Sequence, residues 1–159
     1  MQKIVILDNI RSAHNVGSIF RTADGAGVEK IYLVGTTPAP VDRFGRTQPE
    51  IKKTSLGATD SIAWERIGSA NDLSTMAAIE TITTLKNDGF IIVAIEQTSN
   101  SQLLAEFTTP EKTAYIFGAE VDGVQPALIA SADRVVEIPM AGMKESLNVS
   151  VTAGIVLFH

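Results

Sequence analysis

Short apolar runs alternate with amphipathic stretches along this chain. Five runs are rich in Ile, Val, Phe and Tyr and several lack a clean apolar-polar alternation; they cover residues 3–8, 30–34, 90–96, 113–117 and 134–138. Such runs are typical of strands that are covered on both faces, as in a parallel sheet. Because segments with helical spacing lie between them, the pattern predicts a doubly wound α/β domain with a mostly parallel sheet flanked by helices.

Two of the intervening segments show the clearest helical patterns. The stretch Asn71–Asn87 carries an apolar stripe and ends at Asp88-Gly89, and the stretch Asn15–Ala26 is apolar on one side and is followed by Gly27. Both are therefore predicted to be helices. The stripe of the first one consists of Leu73, Met76, Ile79, Ile82 and Leu85.

The segment Thr36–Glu50 has a different character. It contains three prolines and one glycine and has almost no periodicity, which predicts a long loop. Loops of about 15 residues inside compact domains are uncommon and usually functional.

The composition narrows the function classes. The chain has 159 residues, no cysteine and two histidines, so a single domain spanning residues 1–159 is expected, with neither a disulfide framework nor a metal site. The N-terminal apolar run is too short for a signal peptide, and no run approaches the roughly 18 apolar residues of a membrane span. We therefore expect a soluble cytoplasmic protein that is not bound to a membrane.

The charge is unevenly distributed. The formal net charge is −5, yet the first 57 residues carry eight basic and five acidic side chains. Nucleic-acid binding depends largely on Lys and Arg contacting phosphates. The N-terminal third of the chain, with its excess of basic side chains, can therefore form a basic surface on an acidic protein. The alternative is that these are ordinary solvated charges.

Three segments combine an apolar run, glycine and polar residues. They read LDNIRSAHNVGSIFR at residues 7–21, YIFGAEVDG at residues 115–123 and RVVEIPMAGMKESLNVS at residues 134–150. In this order they resemble the three motifs of the SpoU/TrmH branch of the SPOUT RNA methyltransferases, and the third segment is the most specific. The resemblance covers nearly the whole chain.

The resemblance implies a fold, an activity and a partner. It implies an α/β knot, in which the C-terminal segment forms a deep trefoil knot, and a homodimer whose site is completed by the second subunit. It implies methylation of a ribose 2′-hydroxyl of RNA with S-adenosylmethionine as cofactor. By motif position the site residues are Asn15, Arg21, Glu120, Ser146 and Asn148.

Several roles stay open at this point. A guanidinium remains protonated in proteins, so we expect Arg21 to anchor phosphate and stabilise developing negative charge, with the proton acceptor unassigned. Glu120 is either a base or a structural carboxylate that pairs with Arg21 or Asn15. Ser146 and Asn148 are either helix caps or groups that also hold the cofactor or the acceptor ribose.

The expected cofactor pocket lies at strand ends. Its residues end predicted strands or open the last helix, where α/β proteins collect ligands, and Gly118 would let the backbone approach the ligand. The alternative is that the apolar members are simply core residues. The pocket residues are Ile95, Gly118, Ile138, Met140 and Leu147.

RNA contact is expected from the long loop and the lysines beyond it. The residues concerned are Arg43, Arg46, Lys52 and Lys53. Family members that act on rRNA often carry an extra N-terminal RNA-binding domain. Because no separate RNA-binding domain is expected here, tRNA is the favoured substrate and rRNA the alternative.

A non-catalytic RNA- or nucleotide-binding α/β protein is the alternative of another class. A dinucleotide-binding domain would carry Gly-x-Gly-x-x-Gly after the first strand, and a phosphate-binding loop would carry Gly-Lys-Ser/Thr; the chain has neither.

Overall fold

A computed structural model describes residues 1–68 and 73–159 of the chain. The first half contains the strands β1 (Gln2–Asp8), β2 (Val28–Val34) and β3 (Ala63–Ile67) and the helices α1 (Ala13–Gly25), α2 (Pro49–Ser55) and α3 (Ala58–Ser61). The second half contains α4 (Leu73–Asn87), β4 (Ile91–Ile95), β5 (Gln102–Leu103), a 3-10 turn (Leu104–Glu106), β6 (Lys112–Gly118), α5 (Pro126–Ser131), β7 (Arg134–Glu137) and α6 (Val149–Leu157).

The seven strands of the described residues form one sheet in the order β3-β2-β1-β6-β4-β7-β5. Every neighbouring pair is parallel. All carboxyl ends therefore lie along one edge of the sheet, and the polar segments that follow β1, β4, β6 and β7 meet there.

Both faces of the central strands are covered. In β1, Val5 and Leu7 belong to a core cluster that includes residues of α1 and α6, while Ile4 and Ile6 belong to a second cluster with residues of α4. Successive side chains of a strand point to opposite faces, so a strand buried on both sides has no polar positions to alternate with. This explains the continuous apolar runs in the sequence.

Helices α1 and α6 lie side by side and run in the same direction. Near their starts Asn148 donates to Asn15, and a Cβ built on Gly154 would lie 3.9 Å from Thr22 Cγ2. At the far end Lys3 Nζ donates to the carbonyl of Leu157 over 2.7 Å. Both helices therefore present their N-termini to the edge where the strands end.

The structure confirms the α/β architecture and the five predicted strands, with shifts of one or two residues at their ends. Strands β3 and β5 were not predicted. The edge strand β3 contains Glu65 and Arg66 and has one buried residue, Ile67, so it carries no apolar run; β5 has only two residues.

The predicted stripe of the fourth helix was wrong at its start. Leu73 and Met76 are exposed, and the buried face is formed by Ser74, Ala78, Ile82 and Leu85. Residues spaced three apart rotate by about 60° per step away from one face of a 3.6-residue helix, so a run with that spacing cannot stay buried throughout. The predicted start at residues 71 and 72 lies outside the described residues.

The long segment after β2 is mostly loop, as predicted, but it ends earlier. Pro49 and Glu50 already belong to α2, with Pro49 in its first turn and Gln48 as N-cap. Lys52 and Lys53 are exposed on that helix, in its last turn. The structure places α2 directly against α1.

Gly17 is the point of closest approach between α1 and α2. A Cβ added there would overlap Thr54 Oγ1 and lie 2.7 Å from the carbonyl oxygen of Ile51. We predict that Gly17→Ala lowers the free energy of unfolding by about 1–3 kcal/mol, because the backbone of α2 must move to admit the methyl group. Urea unfolding measures the change.

Gly25→Ala, at the end of the same helix, is the matched control. The new Cβ would meet only Phe158 Cζ at 3.5 Å, so we expect a change of less than about 1 kcal/mol. Equal stability of the Gly17→Ala and wild-type proteins would contradict the close packing of α1 on α2.

Candidate functional site

A cleft of about 580 Å³ opens at the carboxyl ends of β4, β6 and β7. It is lined by the segments that follow these three strands and by the start of α6. All five residues expected to bind a cofactor are among its lining residues, together with Glu120 and Ser146. Ile95, Gly118, Ile138 and Met140 are half-buried and Leu147 is more exposed, so these side chains are available to a ligand. Ile95 and Ile138 also pack against the core cluster that contains Val5 and Leu7, so these two side chains combine core packing with exposure to the cleft.

Asn15 joins the three motif segments. Its side-chain Nδ2 donates to Glu120 Oε1 over 2.7 Å, and its Oδ1 accepts from Asn148 Nδ2 over 3.3 Å. The side chain of Ser12 caps α1 by accepting from the amide of Asn15, which fixes the first turn of that helix. The structure thus brings Asn15, Glu120 and Asn148 together beside the cleft.

Asn148 has a second function as the N-cap of α6. Its Oδ1 accepts from the amide and the hydroxyl of Ser150, at 2.9 and 2.7 Å. Ser146 is exposed at the rim of the cleft, two residues before this cap. The position of Asn148 shows that capping and membership of the polar cluster are compatible.

Asp8 is a buried carboxylate at the base of this region that the sequence analysis did not assign a role. It follows the apolar run of β1 and accepts from Gln125 N over 2.7 Å and from Gln125 Nε2 over 2.6 Å. Gln125 in turn accepts from Thr75 Oγ1. The carboxylate therefore ties the segment after β6 to the end of β1. An acidic residue directly after a buried strand was the signal that could have identified it.

Burial raises the pKa of the Asp8 carboxyl, and the hydrogen bonds from Gln125 oppose this effect without cancelling it. Among the described residues no Lys or Arg pairs with Asp8. Its charge is therefore balanced only by amide donors, which include Asn9 Nδ2 at 3.2 Å.

The segment after β6 is a tight turn. Ala119 and Gly123 exchange two backbone hydrogen bonds, and Glu96 Oε2 accepts from the amide of Val124 over 2.9 Å. A Cβ on Gly118 would collide with the backbone of Gly123 and Val124. Gly118 is therefore required by the protein's own backbone; it also lines the cleft, and its contact with a cofactor stays a prediction.

Arg21 lies apart from this cluster. It is exposed on α1, and its side chain makes no hydrogen bond or ion pair with another described residue. Six residues separate it from Asn15, which corresponds to about 9 Å along a helix and a rotation of about 240°. The structure bears out the pairing of Glu120 with Asn15 but not the alternative pairing of Glu120 with Arg21.

The residues expected to contact RNA lie around the loop after β2. Arg43 and Arg46 flank the exposed ring of Phe44, and Arg46 Nε also pairs with Asp42 Oδ2 over 2.7 Å. Lys52 and Lys53 are on α2. The loop leaves the same sheet edge as the cleft, on the other side of β1.

The two surfaces differ in charge, and one of the cleft carboxylates, Asp122, pairs with Arg11 over 3.7 Å. The cleft is lined by five carboxylates and by no Lys or Arg within the described part of the chain; the acidic residues are Glu96, Glu120, Asp122, Glu137 and Glu145. In residues 1–68 and 73–159 no cluster of His, Asp and Glu is arranged to hold a metal ion. No helix in these ranges combines the length and apolar character required to cross a bilayer.

Comparison with known proteins shows one consistent family. The family model described as "SpoU rRNA Methylase family" matches residues 2–158. A tRNA (guanosine(18)-2′-O)-methyltransferase of Thermus thermophilus is 34% identical over 155 residues, which are 98% of this chain and 72% of that protein. These matches confirm the resemblance found in the sequence.

Other relatives are longer than this chain. The 23S rRNA (guanosine-2′-O-)-methyltransferase RlmB of Neisseria meningitidis serogroup B is 31% identical over 154 residues, which are 97% of this chain and 56% of that protein. The crystal structure of an AdoMet-bound rRNA methyltransferase from Sinorhizobium meliloti superposes with a TM-score of 0.81 at 27% identity and covers 99% of this chain and 54% of that one. The chain thus spans about half to three quarters of the length of these relatives.

The raised pKa of Asp8 has a testable consequence. When the folded-state pKa of a carboxyl lies above its unfolded value, its stabilising contribution is present below the unfolded pKa and is lost as the pH rises through the folded pKa. We predict that the stability of wild type relative to Asp8→Asn decreases as the pH is raised from about 4. Urea unfolding of both proteins across this range measures the difference.

Asp8→Ala provides the contrast. It leaves the two Gln125 donors without their acceptor at every pH, so we expect a loss of about 2–4 kcal/mol. A constant stability difference between wild type and Asp8→Asn across the pH range would contradict the assigned titration.

Proposed function

This chain belongs to the SpoU rRNA methylase family, and on that basis we propose that it transfers a methyl group from S-adenosylmethionine to a ribose 2′-hydroxyl of RNA. The observation that carries the proposal is the cleft at the ends of β4, β6 and β7, where the expected cofactor residues adjoin the Asn15–Glu120–Asn148 cluster.

The lining of the cleft fits this cofactor. Apolar side chains such as Ile95, Ile138 and Leu147 suit an adenine ring, while backbone groups of the turn after Gly118 are available to polar atoms. A carboxylate-rich wall without Lys or Arg in its described lining favours a ligand with a sulfonium and an ammonium group over one with several phosphates. The same charge argues against the alternative of a protein that binds a nucleotide phosphate.

S-adenosylmethionine supplies an activated methyl group, so the protein must position the acceptor and manage its proton. In this proposal Asn148 and Ser146, at the mouth of the cleft, orient the acceptor ribose or the cofactor. Asn15 keeps the Glu120 carboxylate at a fixed place beside them. The pairing favours an orienting role for Glu120, and the proton acceptor stays unassigned.

We assign Arg21 to the site of a second subunit. It is exposed on α1 and separated from Asn15 by about 9 Å along the helix and a rotation of about 240°, so we propose that it acts across an interface and not in the cluster of its own chain. A guanidinium stays protonated and presents a fixed fork of donors to phosphate or to a developing alkoxide. In this role Arg21 compensates for the lack of basic residues in the described lining of the cleft.

A suitable interface lies next to Arg21. Helix α6 exposes Val151 and Ile155, and its C-cap residue Phe158 continues the same side; these residues are 50%, 42% and 64% exposed. Because α6 runs beside α1, this apolar face and Arg21 belong to the same surface. We propose that this surface forms a two-fold homodimer, which would bury the apolar face and carry Arg21 to the partner.

We also propose the trefoil knot for the C-terminal segment. Strand β7 lies between β4 and β5, so the connection between those two strands passes the end of β7. Ser101 in that connection donates to Glu137, and Gln97 Nε2 donates to the carbonyl of Glu145. These contacts support a path in which the segment after β7 threads the loop that begins at β4.

For the substrate we favour tRNA, on which the Thermus thermophilus relative acts by name, over rRNA. The RNA is proposed to contact Arg43, Arg46, Lys52 and Lys53, which lie outside the acidic cleft. This activity would place the protein in the cytoplasm.

Leu147→Arg tests the cofactor site. The residue is partly exposed at the cleft, so the fold should persist, while the new cation fills the cleft and pairs with its carboxylates. We expect the affinity for S-adenosylhomocysteine, measured by calorimetry, to fall by at least about tenfold. Transfer of labelled methyl to RNA should fall with it, and Leu73→Arg, at an exposed leucine of α4, should behave as wild type.

Separate reactions with bulk tRNA and with rRNA identify the substrate, and mapping of the labelled ribose identifies the acceptor. Label on bases alone, or no label on RNA in a protein that binds S-adenosylhomocysteine, would refute the proposed reaction.

Mixing two inactive proteins tests the shared site. Arg21→Ala should lose turnover at saturating RNA while it keeps affinity for S-adenosylhomocysteine, and Leu147→Arg should lose that affinity. After subunit exchange, half of the dimers would be mixed and each would hold one intact site, so about a quarter of wild-type activity should return. Activity that does not return would place Arg21 in its own chain's site.

The dimer surface has an independent control. Ile155→Glu should shift the sedimenting species from dimer to monomer, and Met76→Glu, at an exposed methionine of α4, should not. A wild-type protein that sediments as a monomer at micromolar concentration would refute the dimer.

A further inference from the structure

The loop after β2 contains a turn whose shape is set by one carboxylate. Asp42 Oδ1 accepts from the amides of Phe44 and Arg46, at 2.8 and 2.9 Å, and Asp42 Oδ2 accepts from Arg46 Nε at 2.7 Å. The backbones of Asp42 and Arg46 are also hydrogen-bonded, and Gly45 has a φ of 78°, a conformation that favours glycine. The hydrogen bond from the Arg46 amide, above all, lowers the pKa of Asp42, so the carboxylate stays ionised near neutral pH.

Phe44 is held at the tip of this turn with its ring in solvent. It is 67% exposed, and the hydrogen bonds of the turn hold it in that position. The guanidinium carbons of Arg43 and Arg46 lie 4.7 and 5.2 Å from the ring centroid. The turn therefore presents an aromatic face together with two cations.

We propose that Phe44 is a stacking platform for an unpaired base of the RNA substrate. The proposal rests on the proposed function, because it takes RNA as the partner. An aromatic ring flanked by arginines matches the two parts of a single-stranded nucleotide, since the base stacks on the ring and the phosphate pairs with a guanidinium. A base-paired nucleotide has no free face to offer.

The two arginines differ in freedom. Arg46 is tethered to Asp42 and stays beside the ring. Arg43 has no hydrogen bond or ion pair with any other described residue, so an incoming base can displace it from the ring. Its guanidinium is then available to the phosphate of the stacked nucleotide.

The position of the turn is compatible with substrate recognition. The loop leaves β2, which lies two strands from β6, and two strand spacings amount to about 10 Å. Beside the turn a second cleft of about 420 Å³ includes Arg46 and Arg66 in its lining. An RNA strand that reaches the cofactor cleft can therefore place a neighbouring unpaired nucleotide on Phe44.

The experiment uses a short single-stranded RNA that contains 2-aminopurine, whose fluorescence is quenched on stacking, and a duplex of the same sequence. For the full chain, Phe44→Leu should weaken binding of the single strand by about tenfold and abolish the quenching, because leucine keeps the apolar surface but removes the ring. Phe44→Trp should stay within about twofold of wild type and keep the quenching. Thermal unfolding checks that the variants are folded.

Met76→Ala is the matched control, since it removes an equally exposed apolar side chain from α4. Unchanged single-strand affinity in Phe44→Leu would overturn the proposal. Equal losses in Phe44→Leu and Phe44→Trp, or an equal loss for the duplex, would also overturn it, because they would indicate a contact other than stacking.

The assay is separate from methyl transfer. If the protein methylates RNA but the quenching does not depend on Phe44, the platform fails and the proposed function stands. If quenching depends on Phe44 but no methyl reaches RNA, the transferase assignment fails and the RNA-binding platform stands.

Discussion

The side-chain amide of Asn15 is the interaction on which the site depends. An ionised carboxylate can only accept hydrogen bonds, so Glu120 takes the Nδ2 side of the amide and leaves Oδ1 for Asn148. The three residues come from the start of α1, the turn after β6 and the cap of α6. One buried amide thus sets the relative positions of three segments that are far apart in the sequence.

The parallel helices α1 and α6 make this contact possible. Both begin at the sheet edge where the strands end, and Lys3 holds the last carbonyl of α6 at the opposite edge. The N-termini of both helices carry partial positive charge and converge near the Glu120 carboxylate. The other charged side chains in the described lining of the cleft are all acidic. The helix arrangement therefore moderates the charge of a site that has no basic side chain in its described lining.

The separation of acidic and basic side chains on the surface explains how an acidic protein can act on RNA. The carboxylates are concentrated where a cationic cofactor is proposed to bind, and the exposed arginines of the loop after β2 lie two strands away. A net charge of −5 is therefore compatible with an RNA substrate, because the field that an RNA strand meets depends on the local surface. The proposed dimer would add the Arg21 of one subunit to the acidic cleft of the other.

Sequence patterns were enough to predict the α/β architecture, and the motif resemblance supplied the candidate site residues. Strands buried on both faces require continuous apolar runs, and these are visible without coordinates. The motif resemblance implied that Asn15, Glu120 and Asn148 belong to one site, and the sheet-edge argument predicted the cofactor pocket next to it. The exact partners of these residues could not be predicted, since hydrogen bonds between residues more than 100 positions apart depend on how the helices pack.

Tertiary packing was needed for the remaining features. The face of α4 that is buried is the one that packs on the sheet, and Leu73 and Met76 lie on the other side of the helix, in solvent. Gly118 is required by the protein's own backbone, and Asp8 is tied to Gln125 across 117 positions. The separation of Arg21 from Asn15 is different, because it follows from a six-residue spacing on a helix that the sequence already predicts. Phe44 is exposed at the tip of a turn that the hydrogen bonds of Asp42 shape. For α4, Gly118, Asp8 and Phe44 the cause is a geometric relation in three dimensions, which composition and periodicity do not encode.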